Sequence, residues 1–223
     1  MVIVEQVCYI VSAMSVPDLT GLKREGCLLI AADAGFATLQ RQEVLPDLVV
    51  GDFDSLGVVP EHPCVVRHPV EKDDTDTLLA AGIGVERGYK KFIFFGALGG
   101  LLDHTMANCQ TLLWLAERGA EGYLLGEGQC VAVIKSGGKL RFSPENHGRI
   151  SVFAAGDRAE GVTIRGLRYE LERGCLTNSF PLGVSNAFVG REAEIAVAEG
   201  ALFVLWQQEE MKAAERLLVG GPL

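Results

Sequence analysis

Through its first half the chain alternates short apolar runs with stretches of helical spacing, and that alternation leaves few folds open. It calls for a parallel sheet covered by helices. Apolar runs at 7–11, 27–32, 48–50, 64–68, 92–95 and 123–125 predict strands, and 36–42, 75–88 and 104–118 predict helices between them. Each helix closes near a glycine or a turn-forming segment. The expected architecture is α/β, an open doubly wound parallel sheet with helices on both faces.

After about Glu127 the helical spacing gives way to short β-like runs separated by glycine-rich turns. Strands are predicted at 131–134, 150–154, 162–164, 194–197 and 202–206. Leu167, Tyr169 and Leu171 alternate with Arg168, Glu170 and Glu172, the period of a half-buried antiparallel strand. A smaller all-β sandwich domain over 127–223 is expected to follow an α/β domain over 1–126. Met211, Ala214 and Leu218 lie at helical spacing and predict a short amphipathic helix near the end.

Composition narrows the partners. A formal net charge of -9 and a pI near 5.0 oppose a polyphosphate backbone, and no Lys/Arg run marks a basic groove, so nucleic acid is not expected. The apolar stretch around 7–14 is too short to span a bilayer, and no membrane partner is expected. Six scattered cysteines without a Cys-x-x-Cys pair read as reduced core thiols, and a cytoplasmic location is expected.

The chemistry concentrates at the predicted strand ends. Leu48-Val49-Val50 runs into Gly51-Asp52-Phe53-Asp54, where extended geometry would aim both carboxylates the same way. In open α/β sheets the carboxyl ends of strands line the ligand crevice. Hard carboxylate oxygens there suit Mg²⁺, which binds one or two carboxylates together with substrate phosphates. Three further junctions carry acids: Asp33 in Ala32-Asp33-Ala34-Gly35, the segment Glu71-Lys72-Asp73-Asp74-Thr75-Asp76, and Asp103 after Gly99-Gly100. Asp73 or Asp103 could be no more than a helix cap, with Asp76 in a first turn. Capping does not explain why successive junctions bring acids to one edge, where their repulsion calls for a cation. His104 and Asn108, four residues apart, share one helical face near that edge, though a face turned to solvent fits as well.

The order of these segments resembles the thiamine pyrophosphokinase family along nearly the whole chain. The resemblance rests on Ala32-Asp33-Ala34-Gly35, Pro46-Asp47 leading into Gly51-Asp52-Phe53-Asp54-Ser55-Leu56, Glu71-Lys72-Asp73 with Thr75-Asp76, Gly99-Gly100 with Asp103-His104 and Asn108, and Ser185-Asn186. It implies a Rossmann-like catalytic domain joined to a β-sandwich domain, a homodimer, and transfer of pyrophosphate from ATP to the hydroxyl of thiamine with release of AMP. It further implies that Asp52, Asp54, Asp76 and Asp103 hold Mg²⁺ and the triphosphate. Asp33, Lys72, Asp73, Thr75, His104 and Asn108 would line the ATP site, and Ser185 and Asn186 would bind thiamine. Leu101 departs from the pattern, standing where the family usually has an arginine, and Lys72 or Arg67 could supply the missing cation.

Three other readings stay open on the residues alone. Asp52 could be the nucleophile of an aspartyl-phosphate phosphatase. The acceptor could be another alcohol, such as a pterin. The same pocket could serve a sensor without catalysis.

Overall fold

The structure, a computed structural model, describes residues 6–22, 25–53, 61–67, 74–219 and 223. The chain divides into two compact units, Met1–Glu127 and Gly128–Leu223.

In the first unit six strands run parallel: β1 (Val7–Val11), β2 (Leu28–Ala32), β3 (Leu48–Gly51), β4 (Val65–Arg67), β5 (Lys91–Phe95) and β6 (Glu121–Gly126). Their spatial order is β6-β5-β1-β2-β3-β4. The β1, β2 and β3 runs are apolar and buried at every position, as strands covered on both faces must be. Three helices connect them: α1 (Gly35–Arg41), α2 (Asp76–Glu86) and α3 (Leu102–Glu117). Helices α2 and α3 touch each other. α2 sits so close to β1 and β5 that a Cβ on Gly84 would meet the Phe92 ring at 2.5 Å and Cys8 Sγ at 2.9 Å. The strand order reverses between β1 and β5, and such a switch point opens a crevice at the carboxyl ends of the two strands.

α2 begins differently from expectation. Asp73 lies outside the described residues, and the cap is Thr75, whose hydroxyl accepts from Leu78 N–H at 3.2 Å while Asp76 opens the first turn. Burial pushes the Cys8 thiol well above the ordinary range, consistent with a core thiol.

The second unit is antiparallel throughout. β7 (Gln129–Lys135), β9 (Arg149–Ala154), β12 (Asn186–Ala187) and β14 (Ala201–Gln207) lie side by side in the order β12-β9-β14-β7. β8 (Lys139–Phe142), β10 (Arg158–Arg165), β11 (Leu171–Thr177) and β13 (Ala193–Ala196) form another sheet, ordered β11-β10-β13-β8. Alternation is clean in β14, where Leu202, Val204 and Trp206 are buried. Helix α4 (Glu210–Val219) follows, with Ala213, Ala214, Leu217 and Leu218 buried.

One predicted strand is not there. Residues 166–170 form the loop between β10 and β11, with a single bridge from Leu167 to Phe188, and Tyr169 is 64% exposed. The alternating side chains satisfied the strand pattern, but the chain turns at Gly166, whose φ of 75° belongs to the left-handed region. A Cβ at Gly166 would also lie 1.9 Å from the Glu192 carbonyl oxygen.

Candidate active site

At the switch point of the first unit lies a cleft of about 380 Å³. Four of the strand ends contribute to it. Ser12 and Met14 follow β1, Asp33 follows β2, Asp52 follows β3, and Ala97 and Gly99 follow β5. Backbone bonds hold the β1 and β5 ends together, Ser12 N–H to Phe95 O at 2.9 Å and Met14 N–H to Gly96 O at 3.0 Å. Ser12 and Thr77 face each other through their hydroxyls at 3.2 Å, both buried, which ties the β1 end to the first turn of α2.

Asp33, Asp52 and Asp76 meet here, each offering a carboxylate oxygen within 4.8 Å of the others. Asp33 reaches its place by leaving β2 at φ 45°, a left-handed conformation that aspartate tolerates better than most residues. Its N–H donates to Val50 O at 2.8 Å, and its carbonyl accepts from Phe36 N–H at 3.1 Å as α1 begins. Gly51 makes the approach possible, because a Cβ there would already stand 3.2 Å from Asp33 Cα. Asp74 lines the same cleft from the loop before α2.

The carboxylates gathered differ in part from those expected. Asp54 lies outside the described residues, as do Lys72 and Asp73. The extended geometry expected to align Asp52 with Asp54 does not hold, because Phe53 between them has φ 62° and drives its ring into the core at 2% exposure. Asp103 stands apart from the trio. It is exposed in the first turn of α3, and its Oδ1 accepts from the adjoining His104 N–H at 2.9 Å. The α3 residues that face the cleft are His104, Ala107 and Asn108, together with Leu101 before the helix, so Asp103 falls about 100° around the helix from His104. Asp33, expected among the nucleotide contacts, lies in the cleft beside the other two carboxylates.

Thr75, His104 and Asn108 all line the cleft, and Asn108 also has another task. It is buried, and its Nδ2 donates to Ala97 O at 2.8 Å, anchoring the Gly96–Gly100 turn on α3. Thr105 adds a bond to Gly99 O at 3.2 Å. In that turn Gly99 and Gly100 have φ of 85° and 64°, and a Cβ on Gly100 would meet Met14 Sδ at 2.3 Å. The sequence reading missed Ser12, Met14 and Thr77. The rule that strand ends line the crevice, applied to β1 as well as to its neighbours, would have found the first two.

A separate recess of about 380 Å³ lies within the second unit. Its walls include Tyr169, Leu171, Leu176, Leu182, Val184 and Asn186. Ser185, between two lining residues, is exposed at φ 58°, and its N–H donates to Ser151 Oγ at 3.1 Å.

Together the sheet and its cleft define an α/β protein of Rossmann-like topology, with three carboxylates gathered at the switch point, followed by an all-β unit. Residues 20–124 match the family profile described as "Thiamin pyrophosphokinase, catalytic domain", and residues 139–202 match "Thiamin pyrophosphokinase, vitamin B1 binding domain". The chain belongs to the thiamin pyrophosphokinase family. Thiamine pyrophosphokinase of Bacillus subtilis is 27% identical over 196 residues, covering 85% of this chain and 92% of its own length. A crystal structure of thiamine pyrophosphokinase from Bacillus subtilis has a TM-score of 0.80 at 25% identity, covering 92% of this chain and 100% of that one. The yeast enzyme's structure has a TM-score of 0.75 at 14% identity, covering 95% of this chain and 89% of that one, a likeness of fold.

Proposed function

We propose that this chain transfers a pyrophosphoryl group from ATP to the hydroxyl of thiamine, giving thiamine diphosphate and AMP. The observation that carries the reading is the trio Asp33, Asp52 and Asp76, gathered at a switch-point crevice inside the segment that matches the family's catalytic domain. No comparison favours a phosphatase, another acceptor alcohol or a sensor.

The trio fits Mg²⁺. Ligand oxygens about 2.0–2.1 Å from that ion lie at most about 4.2 Å apart, so carboxylate oxygens within 4.8 Å of one another need only small movements to share it. Mg²⁺ held there would neutralise charge that develops on the phosphate oxygens. Asp54, from its place in the motif, would add a further carboxylate, and Asp103 would act at the rim of the cleft.

The reaction joins the thiamine oxygen to the β-phosphorus and breaks that atom's bond to the oxygen it shares with the α-phosphorus. AMP leaves with that oxygen, and the alcohol proton passes to a base, for which a cleft aspartate is suited. Positioning supplies much of the acceleration in phosphoryl transfer. The Gly96–Gly100 turn, held by Asn108 and Thr105, presents backbone to the phosphates. Thr75, His104, Lys72 and Asp73 belong to the nucleotide side of the site. Ser185 and the recess of the second unit bind thiamine, and two copies of the chain form the working enzyme.

Six free thiols suit a reducing cytoplasm, and among the described residues no helix is long and apolar enough to cross a membrane. Incubation of the pure protein with ATP, Mg²⁺ and thiamine tests the reading. Thiamine diphosphate and AMP should appear in equal amounts, and their absence under conditions where the protein is folded would refute it.

A further inference from the structure

Where β14 runs into α4, a cavity of about 600 Å³ opens among Asn146, Gln207, Gln208, Glu209, Lys212 and Arg216. It is larger than the cleft or the recess and shares no lining residue with either.

What the lining groups still offer decides what the cavity takes. Gln207 Oε1 accepts from Arg149 N–H, and Gln208 Oε1 accepts from Trp206 Nε1, both at 2.8 Å. The acceptor end of each glutamine is thus committed to the protein, and its NH2 is left to donate. The acids are committed as well. Glu209 Oε1 and Oε2 accept from Met211 N–H at 2.9 Å and Lys212 N–H at 3.0 Å as α4 begins, and Glu145 Oε2 accepts from Arg216 Nη2 at 2.7 Å. Lys212 lies one turn before Arg216 on the same helical face, and among the described residues its ammonium pairs with no carboxylate.

The second cation is held in place. Arg216 is 25% exposed in its side chain, and its Nη1 lies 3.5 Å from Oδ1 of Asn146, which is 5% exposed. The Asn146 amide is itself fixed, its Nδ2 donating to Ser143 O and to Leu223 O. The cavity therefore presents donors and positive charge with its acceptors already used, in a chain whose net charge is -9. Such a lining selects an anion rich in acceptors. Its donors come from the end of β14 and from a face of α4. Donors from separate elements suit a tetrahedral oxyanion with several terminal oxygens better than a planar carboxylate, which one guanidinium fork satisfies.

We propose that this cavity binds a phosphate group, free or carried by a small organic ester, between Lys212 and Arg216, with Gln207 and Gln208 donating to it. Glu145 is the internal carboxylate that Arg216 exchanges for the phosphate. The site stands apart from pyrophosphoryl transfer and needs no divalent ion.

The test is calorimetric titration of the full chain with inorganic phosphate, with ribose 5-phosphate and with succinate, all in EDTA so that the carboxylate cleft holds no metal. Both phosphates should bind saturably, and more weakly as salt is added. Lys212→Glu should weaken them about tenfold or more, the scale of a hydrogen bond to a charged group. Glu145→Gln should tighten them about threefold, because Arg216 no longer has a carboxylate to release, and Glu145 is 79% exposed in its side chain, so the fold is kept. Asp52→Asn should leave both affinities unchanged, which separates this site from the cleft. Tighter binding of the ester identifies an organic phosphate as the occupant, and tighter binding of the free anion identifies inorganic phosphate. The proposal is overturned by lack of saturable binding of both phosphates, by succinate binding as tightly, by an affinity that Lys212→Glu leaves unaltered, or by weaker binding in Glu145→Gln.

Discussion

The cleft of the first unit and the recess of the second have similar volumes, about 380 Å³ each, yet are built from opposite materials. Carboxylates converge in the cleft from the ends of β2 and β3 and the start of α2, and the backbone is bent out of the extended region at Asp33 and Phe53 to bring them there. The recess is walled by apolar side chains and one exposed tyrosine, with its polar groups turned inward to hold a loop. On the proposed function, the contrast teaches that the phosphates of a substrate are met through a cation held by carboxylates at a fixed topological position, whereas a flat organic portion is met by shape. The two should fail independently when altered.

The largest effect is expected at Asp52. Asp52→Asn removes one carboxylate of the trio and should lower kcat by about 10²–10³-fold, the scale of losing one electrostatic contact to developing charge. Thiamine binding without nucleotide should be unchanged, because the recess lies in the other unit. A titration in which Asp52→Asn also loses thiamine would break the separation. Chelation of divalent ions should reproduce the loss of turnover, and excess Mg²⁺ should restore it.

Asn108→Ala is expected to act next in strength, and it sharpens the comparison because Asn108 supports the cleft of the first unit alone. Removing its amide leaves the buried Ala97 carbonyl without that donor, at a cost of about 1–3 kcal/mol. Each kcal/mol lowers the melting temperature of a chain of this size by about 2–4 °C. Since the bond anchors the Gly96–Gly100 turn, KM for ATP should rise while KM for thiamine stays put. A rise in KM for thiamine alone would contradict the assignment of that turn to the nucleotide.

The difference in materials also governs what the sequence could disclose. Acids after apolar runs are visible because charge at a strand end is unusual, and Asp33, Asp52 and Asp76 stood out on that ground. That Asp103 does not line the cleft beside the trio was not visible, because it depends on the rotational phase of α3, set by a helix that begins at Leu102. Phe53 was hidden for a related reason, since nothing in Asp52-Phe53-Asp54 announces a left-handed φ. In the second unit the strands at 131–134, 150–154 and 202–206 were plain as short β-like runs between glycine-rich turns, and Leu202, Val204 and Trp206 are buried. Alternation misled at 167–171, where the chain turns and Tyr169 is exposed at the wall of the recess. β8, with Lys139 and Arg141 facing outward, and the two-residue β12 were too short or too polar to register.

A smaller effect isolates the geometry of one junction from its charge. Thr75→Ala removes the cap on α2 that receives Leu78 N–H and should cost about 1 kcal/mol. Because Asp76 sits in the first turn of that helix, fraying there should raise KM for ATP modestly. A variant that melts earlier with kinetics unchanged would show that the trio does not depend on the cap.

The least perturbing experiment asks whether the two regions rest on equally closed cores. Cys8 under the cleft's sheet and Cys130 in β7 are both buried, and burial pushes both thiols upward, so each stays protonated and unreactive through neutral pH. Cys64 and Cys175 are exposed, one in each unit. A thiol reagent applied to the native protein should therefore modify Cys64 and Cys175 and spare Cys8 and Cys130, as read by mass spectrometry of peptides. Early labelling of Cys130 with Cys8 still protected would mean that the second unit opens while the first stays shut. The recess would then be a mobile surface rather than a pre-set one.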